Sequence, residues 1–459
     1  MTETKDIGLT RRFKEGLMWG TATAPFQVEE KGKRKTDWDS FIERKKIVLP
    51  NEQGPNYWVP GNAERDFADL KALGINAQRL GFEWGRIEPE QGKISQEVLR
   101  RYRGMIDFLK EKNITPMVTL NHFVLPEWIA RQGGWENSSI REAFKNYAHI
   151  IAENFPDVPY WITINEPNVL AAAGWAGGAW PPEKKGVGGL LTALHSVSPN
   201  MIAAHNLAGN ELTKQGGKID KNKVQVGIAN AISWYKPENA MSPLDRIPGA
   251  IADALFNYKF LKSTIKNSDF EGVNFYSGYR LKFRNGFNGH NQKDMPMAMD
   301  ELPFGKVVKH EEDVLSDVGW PIVPGYFLEA LKYNYSKFKK PIIITENGIA
   351  DREDKFRSFY ILTHLIAMHE ARRSGVDIRG YFHWSAVDNL EWAEGFAPRF
   401  GLIARDPKTG ERAIRQSAEL YGEIAKSDEI DVNRLGEKYL TPEQRELTKK
   451  FLQSLPHSA

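Results

Sequence analysis

The chain has 459 residues and no cysteine, which excludes disulfides, thiolate metal sites, iron–sulfur clusters and thiol nucleophiles. Lysine and arginine number 62 against 59 aspartates and glutamates, and the formal net charge of +3 does not indicate nucleic acid or an anionic membrane as a partner.

The sequence predicts neither a membrane span nor an exported protein. No apolar run of about 18 residues occurs, and the polar segment Met1 to Phe13 lacks the apolar stretch of a signal peptide. We therefore expect a cytoplasmic location. Aromatic residues are plentiful, with 13 Trp, 15 Tyr and 24 Phe. They fill a large core or line a sugar site, and composition alone does not choose between these interpretations.

Eight short apolar runs recur along the chain. Each is rich in Ile, Val, Phe or Trp and lacks strict alternation, as expected of parallel strands covered on both faces. In chain order the runs are Glu15–Ala22, Asn76–Phe82, Ile114–His122, Tyr160–Glu166, Lys223–Asn230, Phe270–Tyr276, Pro341–Asn347 and Arg379–Ser385.

Amphipathic stretches with helical periodicity lie between these runs. They include Ala63–Leu73, Gln96–Lys112, Ile140–Asn154, Phe327–Phe338 and Lys355–Ser374. Strand and helix alternating eight times predicts an α/β protein built as a single (β/α)₈ TIM barrel. A doubly wound open sheet is the structural alternative, but no G-x-G-x-x-G motif follows any of the runs.

An added helix is predicted over Leu440–Leu455, near the end of the chain. Thr441 is its N-cap, Pro442 takes the first helical position and Gln444 completes a capping box. The sequence thus predicts a (β/α)₈ barrel over residues 1–426. A C-terminal helical extension over residues 427–459 packs on that barrel.

Polar residues at the ends of the predicted strands mark the candidate site, because (β/α)₈ enzymes build their sites there. These residues are Arg79, His122, Asn165, Glu166, Asn274, Tyr276, Glu346, Asn347 and Trp384, with Gln27 following the first strand. A carboxylate that ends an apolar strand is costly unless it is paired or functional. Glu166 and Glu346 end the fourth and seventh strands and project into one mouth. Glycoside hydrolysis needs two such carboxyl groups across a sugar.

Four segments carry a resemblance to a known family. TINEPN and ITENG, with the opening GLMWGTATAPFQVE and the late HWSAVDNLEWAEGFAPRFGL, resemble glycoside hydrolase family 1, the β-glucosidases, β-galactosidases and relatives. The resemblance runs from about Gly16 to Tyr421. It implies a retaining β-glycosidase for terminal, non-reducing, unphosphorylated β-D-glucosides, β-galactosides or β-fucosides, with no cofactor and no metal. The implied partner is a small carbohydrate, and the chain is expected to be a monomer or homo-oligomer.

The resemblance also implies roles for individual residues. Glu166 matches the family's general acid/base and Glu346 its nucleophile, supported by Arg79, Tyr276 and Asn274. A barrel-floor ion pair is the structural alternative for Arg79. The implied substrate-binding residues are Gln27, His122, Asn165, Trp320, Trp384, Glu391, Trp392 and Phe400. For His122 the alternative to sugar binding is a structural role in the barrel. An acidic group at Glu391 would repel a phosphate and favours an unphosphorylated sugar.

The chain departs from the family pattern in a few places. Phe26 stands where tyrosine is usual, Phe123 where tryptophan is usual, and Glu30 where glycine is usual. A stretch normally present before the sixth strand is missing, which predicts a shortened connection between strands five and six. We expect this deletion to affect stability or assembly more than activity. A transglycosylase on the same site, or a non-catalytic glycan-binding relative, are the functional alternatives.

Overall fold

The centre of the fold is a closed barrel of eight parallel strands. The computed structural model describes residues 10–13, 16–47, 54–220, 224–285, 301–302 and 304–456. Glu15 and Lys223, the predicted first residues of two strands, lie outside the described residues. Residues 1–9 and 457–459 also lie outside the described residues. The division into a barrel over 1–426 and an extension over 427–459 therefore stays a prediction.

The eight strands follow one another around the barrel in chain order. They are β1 Met18–Ala22, β2 Ala77–Gly81, β3 Thr115–Asn121, β4 Tyr160–Asn165, β5 Gln225–Ala231, β6 Phe270–Asn274, β7 Ile342–Asn347 and β8 Ile378–Trp384. Each pairs in parallel with its neighbour, and β8 closes the barrel on β1 from Gly380 opposite Met18 to Trp384 opposite Ala22. Every strand lies within its predicted run or extends one residue beyond it, so the predicted barrel is confirmed.

An outer ring of helices covers the strands, which explains why the strands read as apolar on both faces. The longer helices are Asp37–Lys45, Asn62–Leu73, Gln96–Glu111, Ile140–Asn154, Ser198–Asp220, Pro324–Phe338, Arg357–Arg373 and Gln416–Ser427. All five predicted helices are among them, with bounds that differ by at most three residues. The largest difference is at Pro324, whose fixed φ suits the first helical turn.

The connection between β5 and β6 lacks a long helix. It contains two six-residue helices, Ile247–Ala252 and Lys259–Thr264, whereas the preceding connection carries the 23-residue helix Ser198–Asp220. The ladder between β5 and β6 nevertheless runs without a register shift. The short helices pack Tyr258, Leu261 and Ile265 with Phe338 in a small separate core.

Further strands and helical segments lie outside the eight barrel strands. A four-stranded sheet has the order Glu301–Leu302, Gly305–Val308, Gly278–Phe283 and Trp234–Pro237. Thr10–Arg12 pairs with Glu429–Asp431, and Ile403–Arg405 pairs with Arg412–Ile414. The remaining helical segments are Pro25–Val28, Trp84–Ile87, Glu127–Arg131, Gly134–Glu136, Pro167–Ala171, Ala172–Ala176, Gly186–Thr192, Ala193–Val197, Leu244–Arg246, Asp253–Asn257, Ile265–Asn267, Trp392–Glu394, Val432–Tyr439 and Pro442–Ser454.

The predicted C-terminal helix is observed as Pro442–Ser454. Thr441 accepts a hydrogen bond from the Gln444 N–H, and the Gln444 side chain accepts one from the Thr441 N–H, so the predicted capping box is confirmed. Across the described ranges, every helix is too short or too polar to cross a bilayer.

Candidate active site

The two glutamates singled out in the sequence lie at the C-terminal ends of their strands. Glu166 directly follows β4, and Glu346 is the penultimate residue of β7. Glu166 has φ of +42° at the start of the helix Pro167–Ala171. A left-handed conformation costs a non-glycine residue about 1–3 kcal/mol and persists only where the surrounding structure holds it. The Glu166 N–H donates to the Ala229 carbonyl in β5, which fixes this conformation.

The Glu346 carboxylate is buried and has a charged partner. Arg79 Nη1 donates to Glu346 Oε1 at 2.6 Å, and the Tyr276 hydroxyl donates to Oε2 at 2.5 Å. Arg79 comes from β2 and is fully buried. Its Nη1 also donates to the Thr345 carbonyl, and its Nε donates to Thr119 Oγ1. Both carboxylate oxygens of Glu346 are therefore held by donors.

The Glu166 carboxyl has a neutral partner instead. Asn274 Nδ2, at the end of β6, donates to Glu166 Oε1 at 2.9 Å. The orientation of this amide is fixed, because Asn274 Oδ1 accepts from the Thr345 hydroxyl at 2.6 Å. Asn274 Nδ2 also lies 3.1 Å from Asn165 Oδ1. A single amide group thus links Glu166 to the network around Arg79.

Asn165 connects this network to His122. Asn165 Oδ1 accepts from Arg79 Nη2 at 2.6 Å, so its Nδ2 must be the atom that faces His122 Nε2 at 3.0 Å. A neutral His122 then carries its proton on Nδ1, and this buried nitrogen has no hydrogen-bond partner in the protein. Burial lowers the pKa of His122 well below its ordinary value, and the charge of Arg79 lowers it further. His122 therefore presents a neutral N–H donor.

The unequal partners give the two glutamates different acid strengths. Burial raises the pKa of Glu166 to about 8, and the negative charge of Glu346 adds to this rise. Burial also raises the pKa of Glu346, but the charge of Arg79 and hydrogen bonds from Tyr276, Arg79 and Asn274 oppose the rise. When the pair holds one proton, that proton lies on Glu166, because ionised Glu346 has the cation.

Gln27 and Glu391 form a polar edge of the site. Gln27 Nε2 donates to the Leu390 carbonyl at 2.5 Å and lies 3.3 Å from Glu391 Oε2. The Gln27 Oε1 atom is buried without a protein partner. Burial raises the pKa of Glu391 to about 8, with further rises from the charges of Glu346 and Glu166. This shift favours the protonated form of Glu391 and so weakens the charge repulsion that the sequence predicted against a phosphate.

Aromatic rings pack around His122. The Trp392 and Trp384 rings each stack on His122 with 5.7 Å between centroids. Trp392 has φ of +48°, so it shares the left-handed conformation of Glu166. Its ring also stacks on Phe26 at 5.9 Å and contacts Phe123 at 5.0 Å.

A second group of rings surrounds Tyr276. Trp320 lies 5.6 Å from Tyr276 and Phe400 lies 6.0 Å from it, between ring centroids. These contacts and the hydrogen bonds above link eleven of the predicted site residues, Arg79, His122, Asn165, Glu166, Asn274, Tyr276, Trp320, Glu346, Trp384, Trp392 and Phe400. Gln27 and Glu391 form a separate hydrogen-bonded pair, and Glu391 precedes Trp392 in the chain. Asn347 donates instead to the Phe275 carbonyl and the Tyr360 hydroxyl. Within the described part of the chain, no three His, Asp or Glu side chains converge into a metal-binding group.

Several residues of the site were missed in the sequence. Thr345 holds the Asn274 amide, and Trp38 and Trp180 pack on Trp392 at 4.8 and 6.0 Å. Gly348 allows a close approach, because a Cβ there would lie 1.9 Å from the Trp384 carbonyl oxygen. The ITENG segment contains Thr345 and Gly348, so the motif itself signalled them, whereas nothing local singles out Trp38 or Trp180 among 13 tryptophans.

The three departures from the family pattern fit their surroundings. Phe26 and Phe123 both contact Trp392 and so keep an aromatic wall. Glu30 Oε2 accepts from Asn56 Nδ2 at 3.2 Å, and its φ is not left-handed, so a side chain is accommodated.

Comparisons with known proteins agree on one family. The model of glycosyl hydrolase family 1 matches residues 9–260 and 255–430. The chain is 31% identical to β-glucosidase A of Thermotoga maritima over 92% of this chain and 99% of that protein. It is 29% identical to a β-galactosidase of Pyrococcus woesei over 91% and 98%. The solved β-glycosidase from Pyrococcus horikoshii is 32% identical and superposes with a TM-score of 0.79 over 95% of this chain and 99% of that chain.

Proposed function

This chain belongs to glycosyl hydrolase family 1 and is a glycoside hydrolase, and we propose that it is a retaining β-glycosidase. In this proposal it releases terminal, non-reducing, unphosphorylated sugars from β-D-glucosides, β-galactosides or β-fucosides. Glu346 is the nucleophile and Glu166 the general acid/base.

In the first step a Glu346 carboxylate oxygen attacks the anomeric carbon of the sugar. The bond from this carbon to the glycosidic oxygen breaks, and Glu166 gives its proton to that oxygen. The aglycone leaves as an alcohol, and the sugar is esterified to Glu346.

In the second step Glu166, now a carboxylate, takes a proton from a water molecule. The water oxygen attacks the anomeric carbon and displaces Glu346. Two inversions give a product with the β configuration of the substrate. Glu166 ends protonated and Glu346 ends ionised, as they began.

The observation that carries this proposal is the unequal support of the two buried carboxyls. Glu346 is held by a guanidinium and a hydroxyl, and Glu166 by a neutral amide. Asn274 donates to Glu166 Oε1 and lies opposite Glu346 in the ladder between β6 and β7, which favours the short separation of about 5–5.5 Å that retention requires.

The donors and acceptors of the site favour an unphosphorylated substrate. Arg79 is the cation that supports Glu346, and four of its five N–H donors are already used, on Thr119, Thr345, Glu346 and Asn165. Arg79 is therefore poorly suited to hold a phosphate as well. The unpartnered Gln27 Oε1 and His122 Nδ1 offer an acceptor and a donor to neutral hydroxyl groups.

A transglycosylase remains the alternative with the same first step, because an acceptor hydroxyl then replaces water in the second. A non-catalytic glycan-binding protein is disfavoured, since binding alone does not need two carboxyls of different acid strength.

The test is a panel of aryl β-glucoside, β-galactoside, β-fucoside, β-mannoside and 6-phospho-β-glucoside substrates, with proton NMR of the first product. We expect hydrolysis of the glucoside and at least one other unphosphorylated sugar, with the β anomer formed first. Glu346→Gly should lower the rate of hydrolysis by a factor of about 10⁴ or more, because the covalent intermediate between the sugar and the enzyme cannot form without the nucleophile. The exposed Glu353→Gly variant is the control. Full activity of Glu346→Gly, or an α anomer as first product, would overturn the proposal.

A further inference from the structure

An exposed ion-pair cluster lies beside the aromatic rings of the site. Glu183 Oε2 accepts from Arg44 Nη2 at 2.5 Å, and Glu183 Oε1 lies 2.8 Å from Lys45 Nζ. Glu183 belongs to the segment after β4, whereas Arg44 and Lys45 end the helix Asp37–Lys45 in the connection after β1. The cluster therefore joins a loop to a helix far from it in sequence.

The two joined elements each carry a buried tryptophan. Trp38 lies in the first turn of the helix Asp37–Lys45, and Trp180 lies three residues before Glu183. The Glu183 N–H donates to the Trp180 carbonyl at 2.7 Å, so the charged residue and the ring belong to one tight turn. The two indole rings meet at 5.5 Å.

Both tryptophans pack on Trp392, which stacks on His122. Trp180 also contacts Phe123 at 4.8 Å. The left-handed conformation of Trp392 persists only when its surroundings hold it. Trp180 is the residue of these surroundings that comes from the loop after β4. A shift of this loop would remove the Trp180 ring from its contact with Trp392.

The helix that receives the ion pairs is well anchored. Thr36 and Asp39 form a capping box at its start, and the buried Arg34 pairs with Asp39. The loop has a second attachment, because Lys184 Nζ pairs with Glu136 Oε2 at 2.6 Å. Glu183 thus ties the loop to an anchored helix, and Lys184 ties the same loop to Glu136 in the connection after β3.

We propose that Glu183, through Arg44 and Lys45, is a positioning residue that holds Trp180 on Trp392 and so sets how tightly the site binds a glycoside. This inference rests on the proposed function for its kinetic readout. Exposed ion pairs contribute little to the stability of the fold. We therefore expect the loss of these pairs to change glycoside binding more than the free energy of unfolding.

The first measurement is Glu183→Gln assayed with an aryl β-glucoside. We expect KM to rise about three- to fivefold, the effect of one exposed ion-pair cluster, with kcat within about twofold. Sodium chloride at 1 M shortens the Debye length to about 3 Å and should raise the KM of the unaltered protein similarly while leaving the variant unchanged. Glu423→Gln is the matched control, since Glu423 also pairs with two cations, Arg434 and Lys438.

A double-mutant cycle tests whether Glu183 acts through Trp180. Trp180→Leu should raise KM by itself, and adding Glu183→Gln should raise it no further, because the two changes remove one interaction. Trypsin should also cleave after Lys184 or Lys185 faster in Glu183→Gln than in the unaltered protein. An unchanged KM and salt response in Glu183→Gln, or additive effects in the cycle, would overturn the inference.

The inference and the proposed function fail in different ways. If the unaltered protein hydrolyses no glycoside of the panel, the proposed function fails, and the inference is then tested by calorimetric titration with castanospermine. A β-glucosidase of Thermotoga maritima has been solved with this compound. Binding weakened three- to fivefold in Glu183→Gln supports the positioning role, and equal or absent binding contradicts it.

Discussion

Glu166 and Glu346 have the same side chain, and their neighbours decide which one holds a proton. Both lose water on burial, which raises both pKa values. Arg79 then offsets the cost of an ionised Glu346, whereas Glu166 has only an amide and faces the charge of Glu346. Acid strength at this site is therefore set by side chains from β2 and β6, not by the glutamates themselves.

Replacing the proposed acid should have an effect that depends on the leaving group. In Glu166→Ala the departing oxygen receives no proton from the protein, so alkyl glycosides should lose about 10³-fold in kcat/KM. A dinitrophenyl glycoside needs no such proton in the first step and should lose far less. The comparison of the two substrates is the measurement, with the exposed Glu353→Ala as control. Equal losses for both substrates would contradict the role of Glu166 as acid.

A buried carboxyl outside the site should make stability depend on pH. Glu271 in β6 is fully buried, and its partner is the amide of Asn334 at 2.6 Å. Burial raises the pKa of Glu271 to about 8. The folded protein then keeps a proton that the unfolded chain releases near pH 4.5. Stability is therefore full below that pH and falls as the pH rises towards 8.

Glu271→Gln should remove this part of the pH dependence. Glutamine keeps the shape and the acceptor for Asn334 but cannot ionise. Between pH 5 and 8 the free energy of unfolding should fall less steeply than in the unaltered protein, by up to about 1.4 kcal/mol per pH unit. Urea unfolding at several pH values measures the slopes, and Glu353→Gln is the exposed control. Parallel pH profiles for Glu271→Gln and the unaltered protein would show that Glu271 does not contribute.

At the scale of elements, capping joins local sequence to tertiary packing. The capping box of Thr441 and Gln444 begins the last helix, and Gln444 Nε2 also donates to the Lys355 carbonyl at 2.7 Å. The same residue thus satisfies its own helix terminus and attaches this helix to the barrel. Thr448 and Leu452 are buried on the attached face.

Loss of the cap should destabilise this helix. Thr441→Ala leaves the Gln444 N–H without its acceptor and should lower the free energy of unfolding by about 1 kcal/mol. Urea unfolding of Thr441→Ala against Ser454→Ala, a change at the other end of the helix, measures the effect. An equal loss in both variants would assign the effect to the helix as a whole and not to its cap.

At the scale of the whole molecule, an N-terminal strand meets the start of the predicted C-terminal extension beside β1. Thr10–Arg12 pairs with Glu429–Asp431, and the Trp19 indole N–H donates to Asp428 Oδ1 at 2.6 Å. The Phe13 N–H donates to the Asp428 carbonyl at 2.7 Å. The segment predicted as an extension therefore also contacts the first strand of the barrel.

Removing the C-terminal segment should destabilise the whole barrel. A chain ending at Ser427 lacks a set of buried apolar side chains, Ile430, Val432, Leu435, Tyr439, Leu440, Leu452 and Leu455. At about 2 kcal/mol each their burial is worth on the order of 10 kcal/mol, comparable with the stability of a typical domain. We expect loss of soluble protein or a much lower Tm in calorimetry. A chain that ends at Pro456 is the control. An unchanged Tm for the chain that ends at Ser427 would show that the barrel does not depend on this segment for its stability.

The sequence by itself determined the barrel and the pair of carboxyls. Parallel strands that are buried on both faces need continuous apolar runs, so each strand can be predicted from its own residues. A glutamate such as Glu346 in such a run is costly unless it is paired or functional, so it can be singled out in the same way. The tertiary structure decided what depends on distant residues, such as Asn274 reaching Glu166, Trp180 packing on Trp392, and the order of the acid strengths. Hydrogen bonds and burial between remote segments exist only once the chain has folded, and no local pattern records them.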